Sequence, residues 1–181
     1  MRIKKLVLLE TKNLSKSFGG LRAVSDVNVQ IYQGTIHGLI GPNGSGKSTF
    51  FNLITGIYQP DSGSQINFAG KEITTQSAHQ IAALGVSRTF QLLRLFLDMT
   101  VLENVTVGYH CHSPYGILSP IFRGTKVRKA ENKIRDEMIE LLEFLGLVEF
   151  ANLPASELSG GQQKLLSLGR AIAMKPKLLL L

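Results

Sequence analysis

Gly41-Pro42-Asn43-Gly44-Ser45-Gly46-Lys47-Ser48-Thr49 puts a Gly-x-x-x-x-Gly-Lys-Ser run in one short loop, and the chemistry open to it is the grip of a triphosphate. Glycine at 44 and 46 permits positive-φ turns and lets backbone N–H groups converge on phosphate oxygens with no Cβ in the way. Lys47 adds a mobile charge for the outer phosphates, and the Ser48 hydroxyl is placed to ligate Mg²⁺. Without a ligand the same run would be a glycine-rich connector, so its setting decides. A second run, Leu158-Ser159-Gly160-Gly161-Gln162, joins a hydroxyl, two glycines and an amide at a helix start. It is another phosphate-reading arrangement, although taken alone it is equally an ordinary helix cap.

The elements around the first run fit a phosphate site. Residues 35–40 read as a short buried strand entering the loop, and a helix leaves it from Lys47 to Thr55, with Phe50, Phe51, Leu53 and Ile54 as its apolar face and Gly56 as its stop. That order brings the phosphates to a helix N-terminus, where orphan amides and the macrodipole favour anions. Upstream, residues 6–11 and 24–31 read as strands separated by Gly19-Gly20. The second alternates Val27, Val29 and Ile31 with Asp26, Asn28 and Gln30. Downstream come a turn at 59–63, a strand near 66–68, a helix over 77–84 stopped by Gly85, and a strand over 86–90 that ends at Gln91.

From about Leu92 to Asn152 the pattern turns helical, with a capping box at Thr100-Val101-Leu102-Glu103. A loop-rich stretch through Ser113-Pro114, Gly116, Ser119-Pro120 and Gly124 precedes a long amphipathic helix. Its stripe of Ile134, Met138, Leu141, Leu142 and Leu145 predicts core packing. Ser159 caps a last helix that runs to Met174 and is stopped by Lys175-Pro176, and a strand begins at Leu178.

Composition narrows the partners. The 181 residues are 44% hydrophobic, enough to fill a core, and carry a net charge of +7. The basic residues are scattered. The densest group, Lys126, Arg128, Lys129, Lys133 and Arg135, is interleaved with Glu131, Asp136 and Glu137 as on a solvated helix face, so no nucleic-acid partner is expected. The single cysteine, Cys111, excludes an internal disulfide, and His110-Cys111-His112 reads as a loop because consecutive side chains do not readily converge on one ion. The apolar start is broken by Glu10, and no segment has the length of a membrane span, so a membrane role would be peripheral.

The two phosphate-reading runs, in this order and with Gln91 between them, resemble the ATP-binding-cassette (ABC) ATPases. The finer likeness is to ATP-binding subunits of branched-chain amino-acid transporters. It is carried by Ser17-Phe18-Gly19-Gly20-Leu21-Arg22-Ala23-Val24, by Arg88-Thr89-Phe90-Gln91, by Met99-Thr100-Val101-Leu102-Glu103-Asn104-Val105, and by the insert over 108–125. One departure is Gly160, where that group often carries an aromatic.

The resemblance implies an α/β P-loop NTPase with an antiparallel β subdomain and an inserted α-helical subdomain. Residues 1–91 and 163–181 would form the ATP-binding core, and 92–162 the helical subdomain with the signature motif. It implies ATP and Mg²⁺ as ligands. Phe18 would stack on adenine, Gly41 to Thr49 would hold the phosphates, Ser48 and Gln91 would lie at the metal, and Gln91 near the attacking water. Ser159, Gly160, Gly161 and Gln162 would reach the γ-phosphate of a second subunit's nucleotide.

The implied partners are a second ABC ATPase, like or unlike, two integral-membrane permeases and, indirectly, an extracytoplasmic solute-binding protein. The implied place is the cytoplasmic face of a bacterial inner membrane. The alternatives are a soluble ABC ATPase acting on ribosomes or DNA, and an inactive nucleotide-binding fragment. Residues 178–181 resemble the strand that leads to the family's catalytic aspartate and glutamate, so the expectation is a C-terminally truncated cassette. Alone it would bind ATP weakly, hydrolyse it little, and aggregate through an unpaired final strand.

Overall fold

In the computed structural model, which describes residues 6–89, 95–110 and 125–181, the chain divides into the units Met1–Val86 and Ser87–Leu181. The first is built on a hairpin. Strands β1 (Val7–Phe18) and β2 (Leu21–Tyr32) pair antiparallel across Gly19-Gly20, with Phe18 opposite Leu21 and Val7 opposite Tyr32. Both strands are longer than the sequence pattern predicts. Beyond Thr11 the register shifts repeatedly, and polar side chains fill in for ladder groups. The Thr11 hydroxyl accepts from the Val29 amide at 3.1 Å, Asn28 Oδ1 accepts from the Asn13 amide at 2.8 Å, and Ser15 Oγ accepts from the Asp26 amide at 2.9 Å. Because these side chains satisfy the backbone at the bulges, a polar stretch holds as strand. Val27, Val29 and Ile31 are half-buried while their neighbours Asn28 and Gln30 are exposed, as the alternation predicts.

Strand β3 (Gln65–Phe68) adds to the other edge of β1 and buries Ile66 and Phe68, and β4 (Lys71–Glu72) follows it, giving the order β2-β1-β3-β4. Helix α1 (Lys47–Ile54) buries Phe50, Leu53 and Ile54 of the expected apolar face, and Phe51 is half-buried. Helix α2 (Ala78–Ala83) starts from a reciprocal Ser77/Gln80 capping box.

The strand expected at 35–40 does not form. Ile36 and Ile40 are fully exposed, and the segment belongs to neither sheet. An apolar run becomes a strand only if a neighbour satisfies its backbone groups, and among the described residues no ladder reaches this one.

The second unit packs three helices, α3 (Val101–His110), α4 (Thr125–Phe144) and α5 (Gly160–Ala173), around Val101, Val105, Met138, Leu142, Leu147 and Leu166. Met138 and Leu142 are deeply buried, with Ile134 and Leu141 packed against them, so the predicted stripe is a core face. A Cβ at Gly108 of α3 would strike the Arg170 carbonyl of α5, so only glycine allows this approach of backbones. Lys175 donates to Glu137 at 2.6 Å, which holds the Glu137 carboxyl below its ordinary range and lifts the Lys175 amine. Strands β5 (Val86–Arg88) and β6 (Leu178–Leu180) pair with each other, and the Thr89 amide donates to the Leu180 carbonyl at 3.0 Å. The final strand expected at Leu178 therefore has a partner.

Asn104 is the buried polar anchor of this unit. Its Nδ2 donates to the carbonyls of Phe96 at 2.9 Å, Thr100 at 3.0 Å and Met99 at 3.3 Å, and its Oδ1 accepts from the Phe96 amide at 3.1 Å. The capping box at Thr100 forms as expected. The Thr100 amide donates to Glu103 at 2.8 Å and holds that carboxyl below its ordinary range. Asn104→Ala should lower unfolding free energy by about 2–3 kcal/mol, because it strands partly buried carbonyls and an amide. Denaturant unfolding checks this, and a loss under about 0.5 kcal/mol would remove Asn104 from the anchoring role.

Candidate functional site

The loop at 41–49 has the geometry its residue types allow. Gly44 and Gly46 take φ of +82° and +86°, the left-handed region. At Gly46 a Cβ would also collide with the Ala23 carbonyl of β2, so the loop is seated directly against the hairpin. Helix α1 begins here, with Gly46 as its N-cap, no side-chain cap and no acidic residue in its first turn. The first intrahelical bond is from the Phe50 amide to the Gly46 carbonyl at 2.8 Å. The amides of Lys47, Ser48 and Thr49 thus lead the helix, and an anion is the partner that complements them. Lys47 Nζ donates to the carbonyls of Gly41 and Pro42, each at 2.7 Å, folding back over the loop it would serve. Ser48 is exposed at the second helical position.

Phe18 stands at the end of β1, 42% exposed, in the same unit. Its ring meets Tyr58 edge-to-face, with centroids 5.3 Å apart and planes at 74°, and Lys16 Nζ lies 5.5 Å from its centroid. Lys16 is in turn 3.8 Å from Asp61. Sequence reasoning named Phe18 and missed Tyr58. The only available signal was an aromatic just past the helix stop at Gly56.

An open cleft of about 440 Å³ lies instead along the hairpin, lined by residues that include Ser15, Arg22, Asp26 and Asp61. Its polar groups are spent on one another, Arg22 reaching Asp26 at 3.2 Å and Ser15 at 3.2 Å. The uncapped helix start, and not this cleft, leaves backbone amides that an anion would complement.

At the second run Ser159 caps α5. The Gln162 amide donates to Ser159 Oγ at 3.4 Å, and Gln162 Oε1 accepts from the Ser159 amide at 2.8 Å. Leu158 is buried and anchors the turn. Gly160 and Gly161 have open space where a Cβ would stand and neither takes a positive φ, so nothing among the described residues demands glycine there. Gln91, Cys111 and His112 lie outside the described residues, as does the side chain of His110.

The family model for ABC transporters matches residues 24–181, a span that holds both runs. The chain belongs to the ABC transporter family. Its curated relatives include the high-affinity branched-chain amino acid transport ATP-binding proteins BraF of Pseudomonas aeruginosa and LivG of Escherichia coli. Each is 41% identical over 174 residues, which cover 96% of this chain and 68% of the relative. A probable LivG of Archaeoglobus fulgidus is 43% identical over 176 residues, covering 96% and 66%. Among solved structures, an ATP-binding cassette of an ABC transporter in its ADP conformation superposes with a TM-score of 0.78 at 37% identity, covering 96% of this chain and 67% of that one. A nucleotide-free cassette gives 0.76 at 37%. The fold of this ABC protein is therefore the P-loop NTPase type expected, mixed α/β with an antiparallel sheet.

Proposed function

We propose that this chain is the ATP-binding, energy-coupling subunit of an ABC importer for branched-chain or related hydrophobic amino acids. The observation that carries the nucleotide part is the uncapped start of α1 behind two positive-φ glycines, with Lys47 poised over the loop. The cargo rests on the relatives, which are named for branched-chain amino acid transport. Phe18 would stack on the base, Gly41 to Thr49 would hold the phosphates, and Ser48 with Gln91 would hold Mg²⁺. No helix among the described residues is long and apolar enough to cross a membrane. The subunit would work from the cytoplasmic face, coupled through Gln91 and the helical part at 92–162 to two permeases supplied by an extracytoplasmic solute-binding protein.

Ser159, Gly160 and Gly161 would complete the site of a second ATPase subunit. The open space around both glycines supports this, since their lack of a side chain serves something that approaches from outside the chain. ATP would then be closed in at a dimer interface and hydrolysed there. Gly161→Leu should leave ATP affinity of the purified chain within about twofold. The same substitution should cut leucine uptake by cells about tenfold or more, because a displaced phosphate reader loses its alignment. Uptake at the wild-type level would overturn the role in trans. The 181 residues alone would bind ATP with little turnover. Lys47-dependent phosphate release by the purified chain would contradict that.

A further inference from the structure

The structure assigns Tyr58 as a positioning residue for the base site: it sets the orientation of the Phe18 ring and ties that ring to the helix whose other end holds the phosphates. The inference rests on Phe18 as the adenine-stacking aromatic. Phe18 ends a strand beside a two-residue turn and is 42% exposed, so burial alone does not lock χ1 and χ2. Its aromatic partner comes from the turn after α1. Tyr58 meets it edge-to-face at 5.3 Å and 74°, the arrangement in which the positive edge of one ring faces the negative face of another. Asp61, three residues on, draws Lys16 to 3.8 Å, and Lys16 Nζ lies 5.5 Å from the Phe18 centroid. A second aromatic ring and a cation both engage the Phe18 ring.

The turn is itself fixed at both ends. The Ile57 and Tyr58 amides both donate to the Asn52 carbonyl of α1, at 2.9 and 3.1 Å, and the Asp61 amide donates to the Ser15 carbonyl of β1 at 2.9 Å. Tyr58 is therefore held by the last turn of α1, while the first turn of α1 faces the phosphates. A rigid eight-residue helix then spaces the phosphate grip from the base grip, and loosening Tyr58 loosens only the base end.

Titrations of ATP and of inorganic tripolyphosphate into the purified chain separate the two ends, because tripolyphosphate has no base. Tyr58→Leu should lower ATP affinity about three- to tenfold, the scale of one aromatic pair, and leave tripolyphosphate affinity unchanged. Tyr58→Phe should bind ATP like wild type, since the contact is between the two rings. In a Phe18→Ala background, Tyr58→Leu should add nothing further. The assignment is overturned if Tyr58→Leu weakens both ligands alike, if Tyr58→Phe behaves as the leucine variant, or if Phe18→Ala weakens ATP while Tyr58→Leu does not. If Phe18→Ala itself leaves ATP affinity unchanged, the base-stacking role of Phe18 falls and this inference with it.

Discussion

Lys47→Ala should lower ATP affinity by about 10- to 100-fold, the equivalent of one charge-assisted contact worth about 1.5–3 kcal/mol. The ammonium now donates to the Gly41 and Pro42 carbonyls at 2.7 Å. These contacts keep it at the loop, so a phosphate that arrives there exchanges a neutral acceptor for an anionic one, and the gain is electrostatic. Losing the side chain should cost the fold little, because Pro42 is exposed and water can replace the donor at the carbonyls. Binding and thermal melting should thus separate, with affinity falling and the melt barely moving. Lys47→Arg should not restore affinity, since a planar guanidinium is larger than the ammonium the loop encloses and presents its donors in a fixed fork. ATP affinity within about twofold of wild type in the alanine variant would remove Lys47 from the phosphate site.

Gly46→Ala should be more damaging still, to binding and stability together. A φ of +86° costs a side-chain-bearing residue about 1–2 kcal/mol, before any clash is counted. The added methyl also runs into the Ala23 carbonyl, a backbone atom that cannot rotate away. The loop must lift from β2 or abandon its turn, and either movement disperses the amides at the head of α1. A total loss of about 2–4 kcal/mol in unfolding free energy is expected, with nucleotide binding abolished.

Gly160→Ala is the matching control. It also sits at the start of a helix, α5, but with open space around its Cβ and no positive φ, so it should leave stability unchanged or slightly raised. Equal destabilisation by the two substitutions would show that the cost is generic to helix starts rather than caused by the seat against Ala23.

Local chemistry was the readable part of this chain. The φ of Gly44 and Gly46, the cap at Ser159, the box at Thr100 and Glu103, and the buried face of α4 each follow from residues within a few positions of one another. The continuation of β1 through Asn13, Ser15 and Ser17 was not readable. It depends on Asn28 and Asp26 answering from the opposite strand, and alternation of polarity carries no trace of that. Residues 35–40 failed in the opposite sense: their apolar run suggests a strand, but hydrophobicity does not supply a ladder partner.

The sequence by itself therefore determined the local form of the loop at 41–49, because such a loop is made of backbone conformations and side-chain types that neighbouring residues dictate. Only the tertiary structure decided how that loop is seated and what stands around Phe18. The collision that forbids a side chain at Gly46 comes from Ala23, and the ring that steadies Phe18 comes from Tyr58. Both are contacts between segments distant in sequence, fixed by packing that no local pattern encodes.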